Sequence, residues 1–176
     1  KEIKSGLIEL IKAGFLKNPE LVEQVYEADI TKINTELIKS AVDIKNEITK
    51  NDYKETSERM FLNFGHTIGH LIEIDSQHTI SHGEAVGIGI LKALKISEKI
   101  TKLNPMITQN FENFLKKLEL NTDYKFNSKP EQLEELLFND KKFSKGIVKY
   151  VLLKNVGEPL LVDFNLNDLL NEVTDG

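Results

Sequence analysis

The 176-residue sequence contains no cysteine, which excludes disulfide cross-links, thiolate metal ligands and cysteine nucleophiles. It has no apolar run near the ~20 residues that a membrane-crossing helix needs, so no membrane partner is expected. Ten glycines and four prolines are too few for a collagen-like, linker or low-complexity chain. A net charge of −5 and a pI near 5.5 give no broad electrostatic attraction for nucleic acid. There is no P-loop and no complete GxGxxG, because Gly87 and Gly89 lack both the third glycine and a preceding strand. Arginine is nearly absent: Arg59 stands alone against 22 lysines. What remains, 40% hydrophobic and 29% charged residues, is the composition of one globular domain with a sizeable core. Lys1 already lies inside a helical pattern (Ile3, Leu7, Ile8, Ile11, Phe15), so the chain is expected to be a piece of a longer protein with an N-terminal domain upstream.

Periodicity and capping residues predict a mainly α, bundle-like domain with one small β-hairpin. The first helix runs to about Leu16, and Asn18-Pro19 caps and opens a short second one. A long helix is expected from about Ile30 to Lys50, with Ile33, Leu37, Ala41, Ile44 and Ile48 on one stripe. After a polar loop from Asn51 to Ser57, one helix covers the Arg59–Glu73 region. Ser81 and Glu84 form a capping-box pattern that opens a helix to about Lys102. Asn104-Pro105 opens another to about Lys117, and Ser128, Pro130 and Glu131 one more to about Leu137. Residues Ile147–Leu153 and Pro159–Val162 read as a hairpin, followed by a last helix over about Asn167–Val173.

All four histidines fall between His66 and His82. His66 and His70 are four apart and share a helix face, beside Gly65 and Gly69, which permit close approach of another backbone. That packing could bring either the long helix or the His82 helix onto them. His82 is expected in the first turn of its helix, where the dipole favours the neutral, metal-binding imidazole. Gly83, Ala85, Gly87 and Gly89 give that helix a small-residue face able to press on Gly65 and Gly69. Two histidines need a third ligand, commonly a carboxylate in catalytic zinc sites, and Glu9, Glu73 and Glu84 all qualify on spacing. His78 reads as a solvated loop residue. Arg59, seven residues before His66 with Asn63 between, suits bidentate recognition of a carboxylate or phosphate. Lys45 falls outside the charged arc of its helix, between Ile38 and Ala41, either snorkelling or pointing into a cleft as an anion ligand. Asp140-Lys141-Lys142 offers further positive charge.

The run Arg59-Met-Phe-Leu-Asn-Phe-Gly-His-Thr-Ile-Gly-His70, followed by Ser81-His-Gly-Glu-Ala-Val86, resembles the C-terminal domain of 3-dehydroquinate synthase, within the sugar-phosphate cyclase superfamily. Ser5-Gly-Leu-Ile-Glu-Leu-Ile-Lys12 resembles the family's segment carrying a metal-binding Glu and a nearby Lys, and Asp140-Lys-Lys142 its late lysine motif. The resemblance implies Glu9, His66 and His82 as ligands of Zn2+ (or Co2+). It implies Lys12, Lys45, Arg59, Asn63 and His70 as catalytic and substrate-binding residues, joined by Lys141 or Lys142. It further implies a lyase that makes a carbocycle from a seven-carbon keto-acid sugar phosphate, with NAD held mainly by the upstream domain. A cytoplasmic homodimer of the shikimate pathway, inactive as this piece alone, completes the expectation. Two other readings stay open: a related cyclase or a zinc or iron polyol dehydrogenase, and a non-enzymatic helical metal-binding module.

Overall fold

The computed structural model describes residues 2–29, 31–32, 34–50, 57–138 and 146–174. Eight α-helices, one 3-10 helix and one hairpin account for them. The elements are α1 (Glu2–Lys17), α2 (Pro19–Glu27), α3 (Thr35–Lys50), a 3-10 helix (Ser57–Asn63), α4 (His66–Asp75), α5 (His82–Thr101), α6 (Pro105–Lys117), α7 (Pro130–Phe138), β1 (Ile147–Asn155), β2 (Glu158–Asn165) and α8 (Leu166–Thr174). The mainly helical fold with a single antiparallel hairpin is the one expected. No helix among the described residues is long and apolar enough to cross a membrane.

Local chemistry sets most of the ends. Asn18 and Asn104 each accept a backbone N–H, from Leu21 and Met106, and each is followed by a proline whose missing N–H costs nothing in a first turn. Two boundaries and one cap differ from expectation. α3 begins at Thr35, not near Ile30, because Asn34 accepts the N–H groups of Glu36 and Leu37 while Asp29 closes a tight turn on Thr31. Ile33 and the Asn51–Ser57 loop, save Ser57, lie outside the described residues. The expected Arg59–Glu73 helix is two elements, since Gly65 at φ 77° breaks the chain between the 3-10 helix and α4. The Ser81–Glu84 capping box does not form: Ser81 makes no side-chain cap, and Glu84 instead accepts from the backbone and side chain of Asn121. His82 is nevertheless the first residue of α5.

α5 is the axis of the domain. It is buried along most of its length and is packed by α4, α1, α6 and β1. Phe15 from α1, Phe64 and Phe111 from α6 meet edge to face beside it, with centroids 5.4–6.1 Å apart. The hairpin is tied in by Ser97 on α5, whose hydroxyl accepts from Leu153 N at 3.1 Å, and by the turn glycine Gly157, whose N–H donates to Phe15 O. Its strands run in register from Ile147 opposite Asn165 to Leu153 opposite Pro159.

The α4–α5 contact decides the site. A methyl group on Gly89 would lie 2.0 Å from the Gly65 carbonyl oxygen, and one on Gly69 would lie 3.1 Å from the Val86 Cα. Gly65 and Gly69 therefore face α5, not α3. The long helix reaches the site by packing on α1, α2 and the 3-10 helix. Gly83 does the same for α1, since a Cβ there would meet the backbone of Ser5 at 2.4 Å. Three helices carrying the candidate ligands are thus drawn together by glycines.

Candidate metal and substrate site

Ligand atoms of Glu9 (α1), His66 (α4) and His82 (α5) all lie within 4.8 Å of one another. The imidazole centroids of His66 and His82 are 5.4 Å apart. Of the three carboxylates left open by spacing, Glu9 faces the His66 ring, with Oε1 at 3.7 Å from Nε2. Glu73 lies 3.1 Å from His82 Nδ1, and Glu84 is committed to Asn121. A second grouping, His70, Glu73 and His82, also falls within the same span and shares His82 with the first.

Lys12, one turn after Glu9 on α1, is almost fully buried. Its ammonium is 2.9 Å from Glu9 Oε2 and 3.4 Å from His66 Nε2. His66 is oriented from behind by its Nδ1, 3.2 Å from the Phe64 carbonyl. With the proton on Nδ1 donated to that carbonyl, Nε2 is the lone-pair nitrogen facing Glu9 and Lys12. Burial lowers the His66 pKa to about 4, and the Lys12 ammonium adds to the effect. The ring is neutral at pH 7, which is the ligating form. Burial opposes charge on Glu9, but the charge and hydrogen bond of Lys12, together with the neighbouring His66 and His82, outweigh it and hold the carboxyl below its ordinary value. Burial also lowers Lys12, reinforced by repulsion from Lys45 and opposed by Glu9.

Among the described residues, Glu9 Oε1 is buried and has no hydrogen-bond partner. A buried carboxylate oxygen without a donor is costly, and a cation between Glu9, His66 and His82 would satisfy it. Two imidazole nitrogens and one carboxylate oxygen are a donor set suited to Zn2+ or Co2+, with room for further ligands. The residues present therefore fit a divalent metal.

These groups open onto a cavity of about 810 Å³ between α1, α3 and the 3-10 helix. Glu9, Lys12, Lys45, Asn63, His66 and His82 line it, against an apolar wall from α1 and α3. Lys45, expected at the margin of the α3 core stripe, is an exposed residue whose helix position places it on this wall. Arg59 is exposed on the 3-10 helix and is not among the residues lining the cavity. His70 is exposed one turn beyond His66, its ring centroid 5.6 Å from that of His66 and 6.2 Å from that of His82. His78 is exposed in the loop after α4, as expected. Lys141 and Lys142 lie outside the described residues. Two contacts were not read from the sequence. The Phe64 carbonyl behind His66 has no side-chain signal. Glu73 had one, since its spacing from His66 and His70 puts it on their helix face, but its partner is set by α4–α5 packing.

Comparison with known proteins places this fold. The fold matches a crystal structure of 2-deoxy-scyllo-inosose synthase complexed with carbaglucose-6-phosphate, NAD+ and Co2+, with a TM-score of 0.74 and 22% identity over 99% of this chain and 52% of that one. It also matches a 2-epi-5-epi-valiolone synthase from Streptomyces hygroscopicus with NAD+ and Zn2+ bound, with a TM-score of 0.73 and 19% identity over 97% of this chain and 49% of that one. Residues 6–143 match the family model for the 3-dehydroquinate synthase C-terminal domain. The chain is 35% identical to a 3-dehydroquinate synthase of Clostridium tetani over 98% of its own length and 48% of the relative's. It is 39% identical to one from Clostridium perfringens over 90% and 46%. The chain belongs to the 3-dehydroquinate synthase family, to whose C-terminal domain it corresponds. It spans about half the length of the curated relatives it matches.

Proposed function

We propose that this chain is the metal- and substrate-binding half of a 3-dehydroquinate synthase. The enzyme would convert 3-deoxy-D-arabino-heptulosonate 7-phosphate to 3-dehydroquinate and phosphate in the shikimate pathway of aromatic amino-acid biosynthesis. The observation that carries the reading is the convergence of Glu9, His66 and His82 beside Lys12 and Lys45 in one cavity. An acidic chain that presents Lys12 and Lys45 beside these ligands in one cleft is suited to a small, doubly anionic substrate.

Glu9, His66 and His82 would hold the metal, whose chemistry when bound is to acidify a coordinated hydroxyl and polarise a carbonyl. Lys12 and Lys45 would bind the substrate's phosphate or carboxylate as ammonium donors, and Asn63 would position a hydroxyl. Arg59, on the same 3-10 helix as Asn63, would offer the bidentate fork for the other anionic group. His70, next to both metal-binding rings, would take the hydroxyl proton and pass it to solvent. Lys141 or Lys142 would complete the anion site. NAD would be held by residues outside this stretch of sequence, which contains no complete phosphate-cradling glycine motif. A homodimer in the cytoplasm is the expected working state.

The test is phosphate release and dehydroquinate formation by the full-length protein, with zinc and NAD supplied. Activity on the seven-carbon substrate, lost on chelation and restored by Zn2+ or Co2+, supports the assignment. Activity on a different sugar phosphate, with none on this one, would move the chain to a related cyclase. Substrate turnover or NAD binding by residues 1–176 alone would contradict the division of labour.

A further inference from the structure

We infer that Glu73 is a positioning residue, the carboxylate that fixes which nitrogen of His82 is free to bind metal. This inference rests on the metal-site reading above. His82 projects from the first turn of α5 with its side chain 45% exposed, so packing alone does not hold the ring. Glu73, on the same face of α4 as His66, is largely buried and places Oε2 3.1 Å from His82 Nδ1. With the Nδ1 proton donated to Glu73, the lone pair stays on Nε2. The ring is then in the tautomer that can share an ion with Glu9 and His66. His66 has the matching arrangement, with Nδ1 on the Phe64 carbonyl and Nε2 toward Glu9. Both imidazoles are thus held from behind by an acceptor on or just before α4, one a neutral carbonyl and one an anion. The anion also raises the basicity of the nitrogen it leaves free.

The rival role for Glu73 is that of a direct ligand, with His70 and His82. Among the described residues, the carboxylate oxygen at the site that is buried without a partner belongs to Glu9, whereas the Glu73 carboxylate is already committed to a ring N–H. The two roles part on substitution. An amide oxygen accepts the same hydrogen bond but is a poor metal ligand.

The experiment is Zn2+ affinity by chelator competition in the full-length protein, for wild type, E73A, E73Q and E9Q. Each variant's metal-free melting curve is recorded alongside. E73A should bind zinc 10–100-fold more weakly, the usual cost of losing such an outer partner. Its melting curve should change little. E73Q should lose distinctly less than E73A. Wild-type affinity in E73A overturns the inference, and so does a loss in E73Q equal to that in E73A, which would make Glu73 a ligand. Wild-type affinity in E9Q would sink the metal-site reading itself, and the inference with it.

Discussion

Substituting Gly89 by Ala probes the α4–α5 contact that sets His66 against His82. An added methyl group would stand 2.0 Å from the Gly65 carbonyl oxygen and 3.0 Å from Gly69 N, both backbone atoms. Because a carbon cannot approach that oxygen within about 3 Å, α4 and α5 must separate by roughly 1 Å. Overpacking of this kind costs up to about 3 kcal/mol. The displaced Gly65 carbonyl also accepts the Gly69 N–H at 2.9 Å, a bond worth about 1 kcal/mol. Alanine returns about 1 kcal/mol in helix propensity. The net loss is about 3 kcal/mol, or a fall in melting temperature of roughly 6–12 °C for a chain this size. The same shift moves His66 relative to His82, so zinc binding should weaken as well, since ligand positions tolerate only about 0.2 Å. Gly6 is the control: it is helical and exposed, with nothing within 4 Å of an added Cβ. Gly6→Ala should raise stability by about 0.5–1 kcal/mol. Thermal melts of the two variants settle the matter. A G89A protein as stable as wild type, or a G6A protein less stable, would refute the packing argument.

Two further outcomes follow from the site's electrostatics. In the metal-free protein, the unfolded His66 ring takes a proton below pH 6.5 while the folded ring stays neutral to about pH 4, so stability rises with pH across that window. The contribution is at most about 3 kcal/mol, and urea titrations should show it in wild type and not in His66→Gln; equal slopes would contradict it. In the full-length enzyme, Lys45→Ala and Arg59→Lys should each lower kcat/KM tenfold or more with little change in melting temperature. A stability collapse with unchanged kinetics in the folded fraction would make both residues structural.

Much of this architecture was legible because its signals are local. Asn18-Pro19 and Asn104-Pro105 opened helices where expected, since a side-chain cap and a first-turn proline act within four residues. The hairpin turn between Leu153 and Pro159 also falls where the flanking strands placed it, with Gly157 at φ 82°. The misreadings come from competition that periodicity does not register. Asn34 began α3 later than its apolar stripe suggested, Gly65 split one expected helix, and Asn121, 37 residues away, took the glutamate of the capping box. At the site, the convergence of Glu9 with His66 and His82 followed from glycine spacing joined to the family motifs. Spacing alone left Glu9, Glu73 and Glu84 open and the family motif pointed to Glu9; the packing of α1, α4 and α5 gives each carboxylate a different partner in space. Arg59 carried a strong compositional signal and still sits outside the cavity lining.

The central claim is that Glu9, His66 and His82 together hold one divalent metal. Its most direct measurement is Zn2+ stoichiometry and affinity for the full-length protein by chelator competition, with E9Q, H66A and H82A compared under the same conditions. The account predicts one tightly bound ion per chain, with affinity falling at least a hundredfold in each variant while the fold melts cooperatively. Tight binding that survives all three substitutions would contradict it.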